Sequence, residues 1–207
     1  ELNSTSDSVS GNFEFNGPVK IGGLTSSTLV MSAANISFQS TIDSSSSVLH
    51  GLILNSQGTT SFSGAIGATN LLGSVTTDAG GTTQIAGGTI NTSDAQTFGD
   101  AVILGADTSL SSANGSISFT SSVDSDTPAR TLNLSSGSTI SFGAAVGATN
   151  PLASLTSSAT GQTSVADNVT TTGLQNYSTP VTLLNDVTFE GACLLYTSDA
   201  ADELTSG

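Results

Sequence analysis

The sequence has very few positive charges. Lys20 and Arg130 are its only cations, they face 16 acidic side chains, and the formal net charge is −14. Two cations cannot neutralise a run of phosphates, so the composition argues against a nucleic-acid partner. It also provides no basic face that could hold an anionic membrane surface.

Aromatic residues and long apolar runs are scarce as well. Aromatics make up 5% of the chain, and tryptophan is absent. The apolar stretches are short, such as residues 52–54 and 101–104, whereas a membrane-spanning helix needs about 20 apolar residues. We therefore expect no membrane insertion by this segment.

Cysteine occurs once, as Cys193, at the start of a run that shares no pattern with the preceding residues. Residues 193–203 (CLLYTSDAADE) resemble the translation of a transposon-end sequencing adapter. We therefore expect 193–207 to be a non-native tail joined to a truncated gene, with a genuine polar tail as the alternative. Without this tail the chain has no cysteine, and removing Asp199, Asp202 and Glu203 changes the net charge from −14 to −11.

Small and hydroxylated residues dominate what is present. Serine and threonine together number 68 and glycine 23 of the 207 residues. Such a composition is common in disordered linkers, but here Val, Ile, Leu and Phe recur steadily from Phe13 to Phe189. Thr and Val favour extended chain because their branched Cβ suits a pleated surface. The sequence thus predicts a folded, nearly all-β protein.

A long internal repeat organises the chain. Residues 61–75 (SFSGAIGATNLLGSV) match 141–155 (SFGAAVGATNPLASL) at an offset of 80. Three further matches support it: 96–104 with 175–183, 36–43 with 117–124, and 15–19 with 98–102, at offsets of 79, 81 and 83. Four matches at nearly one offset predict tandem units.

The repeat predicts the organisation of the chain into units. Unit 1 spans 13–95, unit 2 spans 96–174, a third unit starts at 175–192, and 193–207 is the expected non-native tail. A shorter beat lies within the units, at offsets of 23 or 24. It links Phe38, Phe62 and Ile85, and then Phe119, Phe142 and Val165.

The predicted fold is a β-solenoid. Stacked turns pair every backbone group and align small aliphatic residues inside, so little aromatic core is needed. About 180 residues at roughly 20–24 per turn give about eight turns and a rod near 40 Å at ~4.8 Å per turn. Outward Ser and Thr would form stacked hydroxyl rows. Tandem small β-sandwich modules are the alternative, although sandwiches usually need a larger aromatic core.

The repeats resemble those of a known class of proteins. Residues 96–102 (QTFGDAV), 61–67 (SFSGAIG) and 170–177 (TTTGLQNY) look like the β-strand repeats of giant bacterial surface proteins, grouped with filamentous-haemagglutinin-like and autotransporter adhesins. The resemblance covers about residues 13–192. It implies export and display outside the cell, and it transfers no functional residue, because such repeats act as scaffold.

Residues for catalysis are sparse. His50 is the only histidine and so the only general base of the usual kind; we expect it to be a solvated residue at a strand end. The carboxylate pairs Asp124 and Asp126, or Asp100 and Asp107, could suit glycoside hydrolysis. Because Asp43 and Asp124 occupy matching repeat positions, however, we expect Asp there to serve a turn. We expect no enzyme activity.

Calcium is the one cofactor that the composition suggests. Acidic extracellular repeats can bind it through carboxylate and carbonyl oxygens. Asp124 and Asp126 form the only close Asp pair of the repeat region, and they are the weak calcium candidates. The nonapeptide of calcium-binding β-rolls is absent. The default expectation is therefore no cofactor, with acidity serving solubility.

These observations together favour a structural and adhesive role. We expect a stalk or passenger segment of a large secreted cell-surface protein, with further repeats of the same chain at both ends. Its partners would be a host or neighbouring cell surface, or matrix glycans, and its location extracellular. The alternatives are an extracellular carbohydrate-binding β module, and a fragment of a β-helix polysaccharide-active enzyme. Because Phe15, Phe98 and Tyr177 occupy matched positions typical of core, they are poor candidates for exposed sugar-binding platforms.

Overall fold

The structure, a computed structural model, describes residues 6–23, 28–45 and 48–196. All regular secondary structure in these residues is β, and all strand pairs are parallel. The strands wind into a β-solenoid, so the predicted fold is confirmed, and the alternative of tandem β-sandwiches is wrong. Sandwich sheets are built from antiparallel strands, which the described residues do not form.

The described part of the chain contains 25 strands. They are β1 (Ser6–Ser8), β2 (Asn12–Phe15), β3 (Val19–Ile21), β4 (Thr28–Ala33), β5 (Asn35–Phe38), β6 (Ile42–Ser44), β7 (Gly51–Ser56), β8 (Thr59–Phe62), β9 (Val75–Thr77), β10 (Thr82–Ile85), β11 (Thr89–Thr92), β12 (Gln96–Phe98), β13 (Ala101–Leu104), β14 (Thr108–Ser112), β15 (Ile117–Phe119), β16 (Val123–Ser125), β17 (Thr131–Ser136), β18 (Ile140–Phe142), β19 (Ser154–Ala159), β20 (Thr163–Val165), β21 (Val169–Thr170), β22 (Leu174–Tyr177), β23 (Val181–Leu183), β24 (Phe189–Glu190) and β25 (Cys193–Tyr196).

Each turn of the solenoid has three sides, which we call faces I, II and III. Face I is the nine-stranded sheet β1-β4-β7-β9-β12-β15-β18-β20-β23. Face II is the sheet β2-β5-β8-β10-β13-β16, continued through Val146 to the pair β21-β24. Face III begins with the pair β3-β6, continues through Ile66, and becomes the sheet β11-β14-β17-β19-β22-β25. Every third strand position along the chain therefore returns to the same face.

The core is a set of columns that run along the solenoid axis. On face I, the register partners Leu52 and Val75 are fully buried, whereas their neighbours Ile53 and Thr76 point outward. This alternation follows from the two-residue period of a strand. Because the same inward position recurs on each turn, small aliphatic side chains stack on one another, and the core needs no tryptophan.

Two stacks of phenylalanine rings run along this core. On face II, Phe38 lies between Phe15 and Phe62, with ring centroids 4.9 and 5.9 Å away. On face I, Phe119 lies between Phe98 and Phe142 at 5.2 and 5.4 Å. Rings at these separations and near-parallel angles attract one another in addition to the burial of their surface.

The shorter beat of the sequence corresponds to one turn of the solenoid. Phe38, Phe62 and Ile85 are register partners on face II, and Phe119, Phe142 and Val165 are register partners on face I. Face I has nine strands, so eight spacings of ~4.8 Å give a rod of about 38 Å. The predicted turn number of about eight is confirmed.

The long repeat does not contain a whole number of turns. Phe62 of β8 lies on face II, but its repeat equivalent Phe142, in β18, lies on face I. Counting the Ile66 position, β18 lies eleven strand positions after β8, which is one short of four turns. The same step relates β5 to β15 and, with the Val146 position counted, β10 to β20. Equivalent residues of units 1 and 2 therefore lie on different faces.

This rotation explains an irregularity in the sequence. Phe98 follows Ile85 at an offset of only 13, because Phe98 begins the equivalent column on face I rather than the next turn of face II. The predicted unit boundaries are not tested by the structure. Residue 96, where unit 2 is predicted to start, is the first residue of β12.

The last described turn includes the beginning of the predicted tail. Cys193 to Tyr196 form β25, which pairs with β22 in parallel, and all four residues are exposed. Their origin stays a prediction, and residues 197–207 lie outside the described part. The neighbouring strand β23 ends at Leu183, which is 50% exposed, so the core is incompletely covered at this end.

Candidate functional site

Two aspartates hold equivalent corners of the solenoid in place. The Asp43 carboxylate accepts hydrogen bonds from the backbone N–H groups of Thr69 and Asn70, at 2.8 and 3.1 Å. Asp124 does the same for the loop of unit 2, 2.8 Å from the N–H of Thr149 and 3.2 Å from that of residue 150. These four bonds join neighbouring turns and satisfy N–H groups that no strand pairs. The prediction that Asp at these matching positions serves a turn is confirmed.

Glycine is required at the start of each of these loops. Gly67 and Gly147 have φ of +65° and +70°, a region that disfavours residues with a Cβ. A Cβ on Gly67 would also overlap the carbonyl oxygen of Asn91, and one on Gly147 that of Thr170. The two loops, residues 67–70 and 147–150, share the sequence GATN and expose their last three residues. We call them the GATN loops.

The two calcium candidates lie beside the second GATN loop. Asp124 is engaged with that loop, as described above. The Oδ1 atom of Asp126 accepts a 2.7 Å hydrogen bond from Nε of Arg130 in an ion pair. Within residues 6–23, 28–45 and 48–196, no three His, Cys, Asp or Glu side chains are grouped so that they could hold a metal ion. The calcium site therefore stays a weak prediction.

A groove of about 370 Å³ lies between β13, β16 and the second GATN loop. Its lining is apolar along β13 and polar along its sides. Ile103 points outward from β13 between its register partners Gln84 and Asp124, where the other outward residues of this column are polar. The lining residues are Ala101, Val102, Ile103, Asp124, Ser125, Asp126, Thr127, Thr149 and Asn150.

Unit 1 has an equivalent place with different chemistry. Lys20 pairs with Asp43 in the register that Ile103 has with Asp124, and Ser45 occupies the position of Asp126. The GATN loops are identical in the two units, whereas the residue at this register position is charged in unit 1 and apolar in unit 2. The sequence repeat already aligns Lys20 with Ile103. It does not show that Ile103 points outward, because residues 101–104 are all apolar and no alternation marks which side of the strand is buried.

The environment of His50 differs from the prediction. We expected a solvated residue at a strand end, but His50 is only 4% exposed. The corner of the following turn covers it, and the N–H of Gly73 donates to its carbonyl oxygen at 2.7 Å. Its Nδ1 has no hydrogen-bond partner among the described residues. His50 is the repeat equivalent of the half-exposed Arg130, whose carbonyl accepts from the N–H of Ala153 in the same way.

The second carboxylate pair is separated by a strand. Asp100 precedes β13 and is buried, accepting hydrogen bonds from the N–H of Gly81 at 2.7 Å and the hydroxyl of Thr83 at 3.1 Å. Burial raises the pKa of Asp100 above its ordinary 3.8, and these two hydrogen bonds oppose the rise. Asp107 follows β13 and accepts from the N–H of Thr131 at 2.9 Å. Both aspartates hold neighbouring turns together.

Rows of hydroxyl and amide side chains cover the outer surface of two faces. The predicted hydroxyl rows are confirmed on face I, where six consecutive turns present Thr76, Thr97, Ser118, Ser141, Ser164 and Thr182 in register. On face III, strands β11 to β25 contain no charged residue, and neither do strands β4 to β23 of face I. The charges of the described residues lie instead at corners, on face II and in the first turns.

The aromatic residues lie mainly inside. Phe98 and Tyr177 are 0% and 1% exposed, which confirms their prediction as core, and Phe15 is half-buried in the first described turn. Among the described aromatic residues only Tyr196 is exposed, in the segment predicted to be non-native. The described part of units 1 and 2 therefore has no exposed aromatic residue on which a sugar ring could stack.

Comparison with protein families, curated proteins and solved structures finds no match to this chain. No helix in the described residues is long and apolar enough to cross a bilayer. The function must therefore be argued from the solenoid, its repeat and its surfaces.

Proposed function

We propose that this chain is a structural and adhesive segment, a stalk or passenger, of a large secreted bacterial cell-surface protein. The observation that carries the proposal is the nine-stranded parallel sheet of face I, whose ladder of hydrogen bonds runs the length of the rod over a core that is buried between its end turns. A rod of this kind gives reach without a large core, and each added unit lengthens it by about 18 Å, since eleven strand positions are three and two-thirds turns.

The surfaces support adhesion through many weak contacts. Faces I and III present uncharged hydroxyl and amide groups on successive turns, so a polar partner can approach them without charge repulsion. The partners we propose are a host or neighbouring cell surface, or matrix glycans, and the location is extracellular. The second candidate is a carbohydrate-binding β module, which the groove beside Ile103 favours.

A flow-adhesion experiment tests the proposal. Beads coated with the purified chain are passed over surfaces coated with cells or matrix polysaccharide, and the retained fraction is compared with beads carrying an unfolded variant. We expect retention that the soluble folded chain inhibits by competition. Retention equal to that of beads with the unfolded variant would contradict an adhesive role.

A further inference from the structure

We propose that the groove beside Ile103 binds a short neutral glycan. The proposal rests on the adhesive function proposed above and names the contact through which one face of the rod recognises a partner. The groove is bordered by three successive turns, through β13, β16 and the second GATN loop. Its volume of about 370 Å³ lies at the lower end of the range for small-molecule sites and suits one or two sugar rings.

The apolar base of the groove fits the C–H surface of a sugar ring. Ile103 is half-buried and points outward from β13, between Gln84 and Asp124 in the register of face II. An apolar side chain at an outward position gains nothing from the core. Together with the outward-facing Ala101 on the same strand it forms a small apolar patch that a ligand can cover.

The sides of the groove supply hydrogen-bonding groups for sugar hydroxyls. The exposed side chains of Thr149 and Asn150 border it on one side. The hydrogen bonds that position their loop run from the backbone N–H groups to Asp124. The backbone of the loop is therefore held beside the groove, and the Asn150 side-chain amide can both donate and accept hydrogen bonds.

The charges select a neutral ligand. The ion pair with Arg130 neutralises Asp126, and its guanidinium disfavours a metal ion at the same place. The Asp124 carboxylate at the edge of the groove would repel a glycan with carboxylate or sulfate groups. A hydroxyl-rich ligand without charge needs no metal ion and is not repelled by the carboxylate, so we expect this class of ligand.

Unit 1 provides an internal control because Lys20 holds, beside Asp43, the register position that Ile103 holds beside Asp124. A lysine removes the apolar base and adds a charge. We therefore expect the site to be functional in unit 2 and not in unit 1. The rotation between units also places Ile103 on face II and Lys20 on face III.

The test is an NMR titration of the full chain with three neutral trisaccharides, namely maltotriose, cellotriose and triacetylchitotriose. We expect one of them to cause saturable shifts of the backbone amides of Ile103, Thr149 and Asn150, with a Kd of about 1 mM. Asn150→Ala should weaken binding about tenfold through loss of its hydrogen bonds, whereas the matched Asn70→Ala should leave the Kd unchanged. Ile103→Lys should abolish saturable binding.

Three outcomes would overturn the proposal. These are no saturable shift at the groove with any of the trisaccharides, equal weakening by Asn70→Ala and Asn150→Ala, or shifts confined to the hydroxyl rows of faces I and III. Because Asn150 is exposed and its loop is held by backbone contacts, the alanine variant keeps the test interpretable if Ile103→Lys fails to fold. If beads coated with wild type and with Asn150→Ala adhere equally well, the adhesive function is retained and the groove is rejected as its binding site.

Discussion

Truncating Phe119 should destabilise the solenoid more than any outward substitution on the same strand. Phe119 is 1% exposed and lies between two parallel rings, at 5.2 and 5.4 Å. Replacing it by alanine removes about 3 kcal/mol of apolar burial and about 1 kcal/mol for each stacked pair. The expected loss is about 5 kcal/mol, near the top of the range for Phe→Ala in protein cores.

Urea unfolding followed by far-ultraviolet circular dichroism measures this loss. Ser118→Ala is the matched control on the same strand: Ser118 points outward and accepts a 2.9 Å hydrogen bond from the hydroxyl of Ser141, so its loss should cost no more than about 1 kcal/mol. Phe15→Ala should cost less than Phe119→Ala because Phe15 is half-buried at the end of its stack. If Phe119→Ala cost less than about 1 kcal/mol, or no more than Ser118→Ala, a continuous core would be refuted.

Three further predictions concern the corners. Gly147→Ala should cost at least about 2 kcal/mol in denaturant unfolding, because Gly147 has a positive φ and lies close to a carbonyl oxygen. Gly17→Ala is the control and should change stability little, since Gly17 has open space around it; equal losses of stability in the two variants would contradict the prediction. Asp124→Ala should cost about 1–2 kcal/mol by leaving two N–H groups without their acceptor, and Asp124→Asn, which keeps an acceptor, should cost less; the reverse order in thermal melts would count against the turn role. For Asp100, burial raises the folded pKa, so the folded chain binds its proton more tightly than the unfolded chain, and the contribution of Asp100 to stability falls as pH rises from 3.8 through the raised value. Asp100→Asn should therefore gain stability relative to wild type across that interval, and a constant difference between their melting temperatures would contradict this.

The sequence was sufficient to predict the solenoid because its physical cause is local and repeated. The shorter beat places Phe38, Phe62 and Ile85 in one column, and alternation within each strand assigns their immediate neighbours Ser37, Ser61 and Gln84 to the outside. The matching of Asp43 with Asp124 likewise predicted a shared structural role. These patterns can be recognised in the sequence because each turn of a solenoid contacts only the turns next to it.

The rotation between units could not be predicted, since turn length varies along the chain. Ile85 and its register partner Leu104 differ by 19 in residue number, whereas Phe38 and its partner Phe62 differ by 24. The difference depends on which corners contain extra residues, and no sequence signal marks the boundary of a corner. His50 was wrongly predicted to be solvated for a related reason: the residues that cover it, around Gly73, belong to the next turn.

The most direct test of this architecture is a distance measurement by electron paramagnetic resonance with paired nitroxide labels, in a Cys193→Ser background. Labels at Ser118 and Ser141 are on adjacent strands of face I at ~4.8 Å and should show strong dipolar broadening. Labels at the repeat-equivalent Ser61 and Ser141 are separated by about 18 Å along the axis, on different faces, and should show much weaker broadening. No broadening for the first pair, or equal broadening for the two pairs, would contradict a solenoid whose repeat advances by eleven strands.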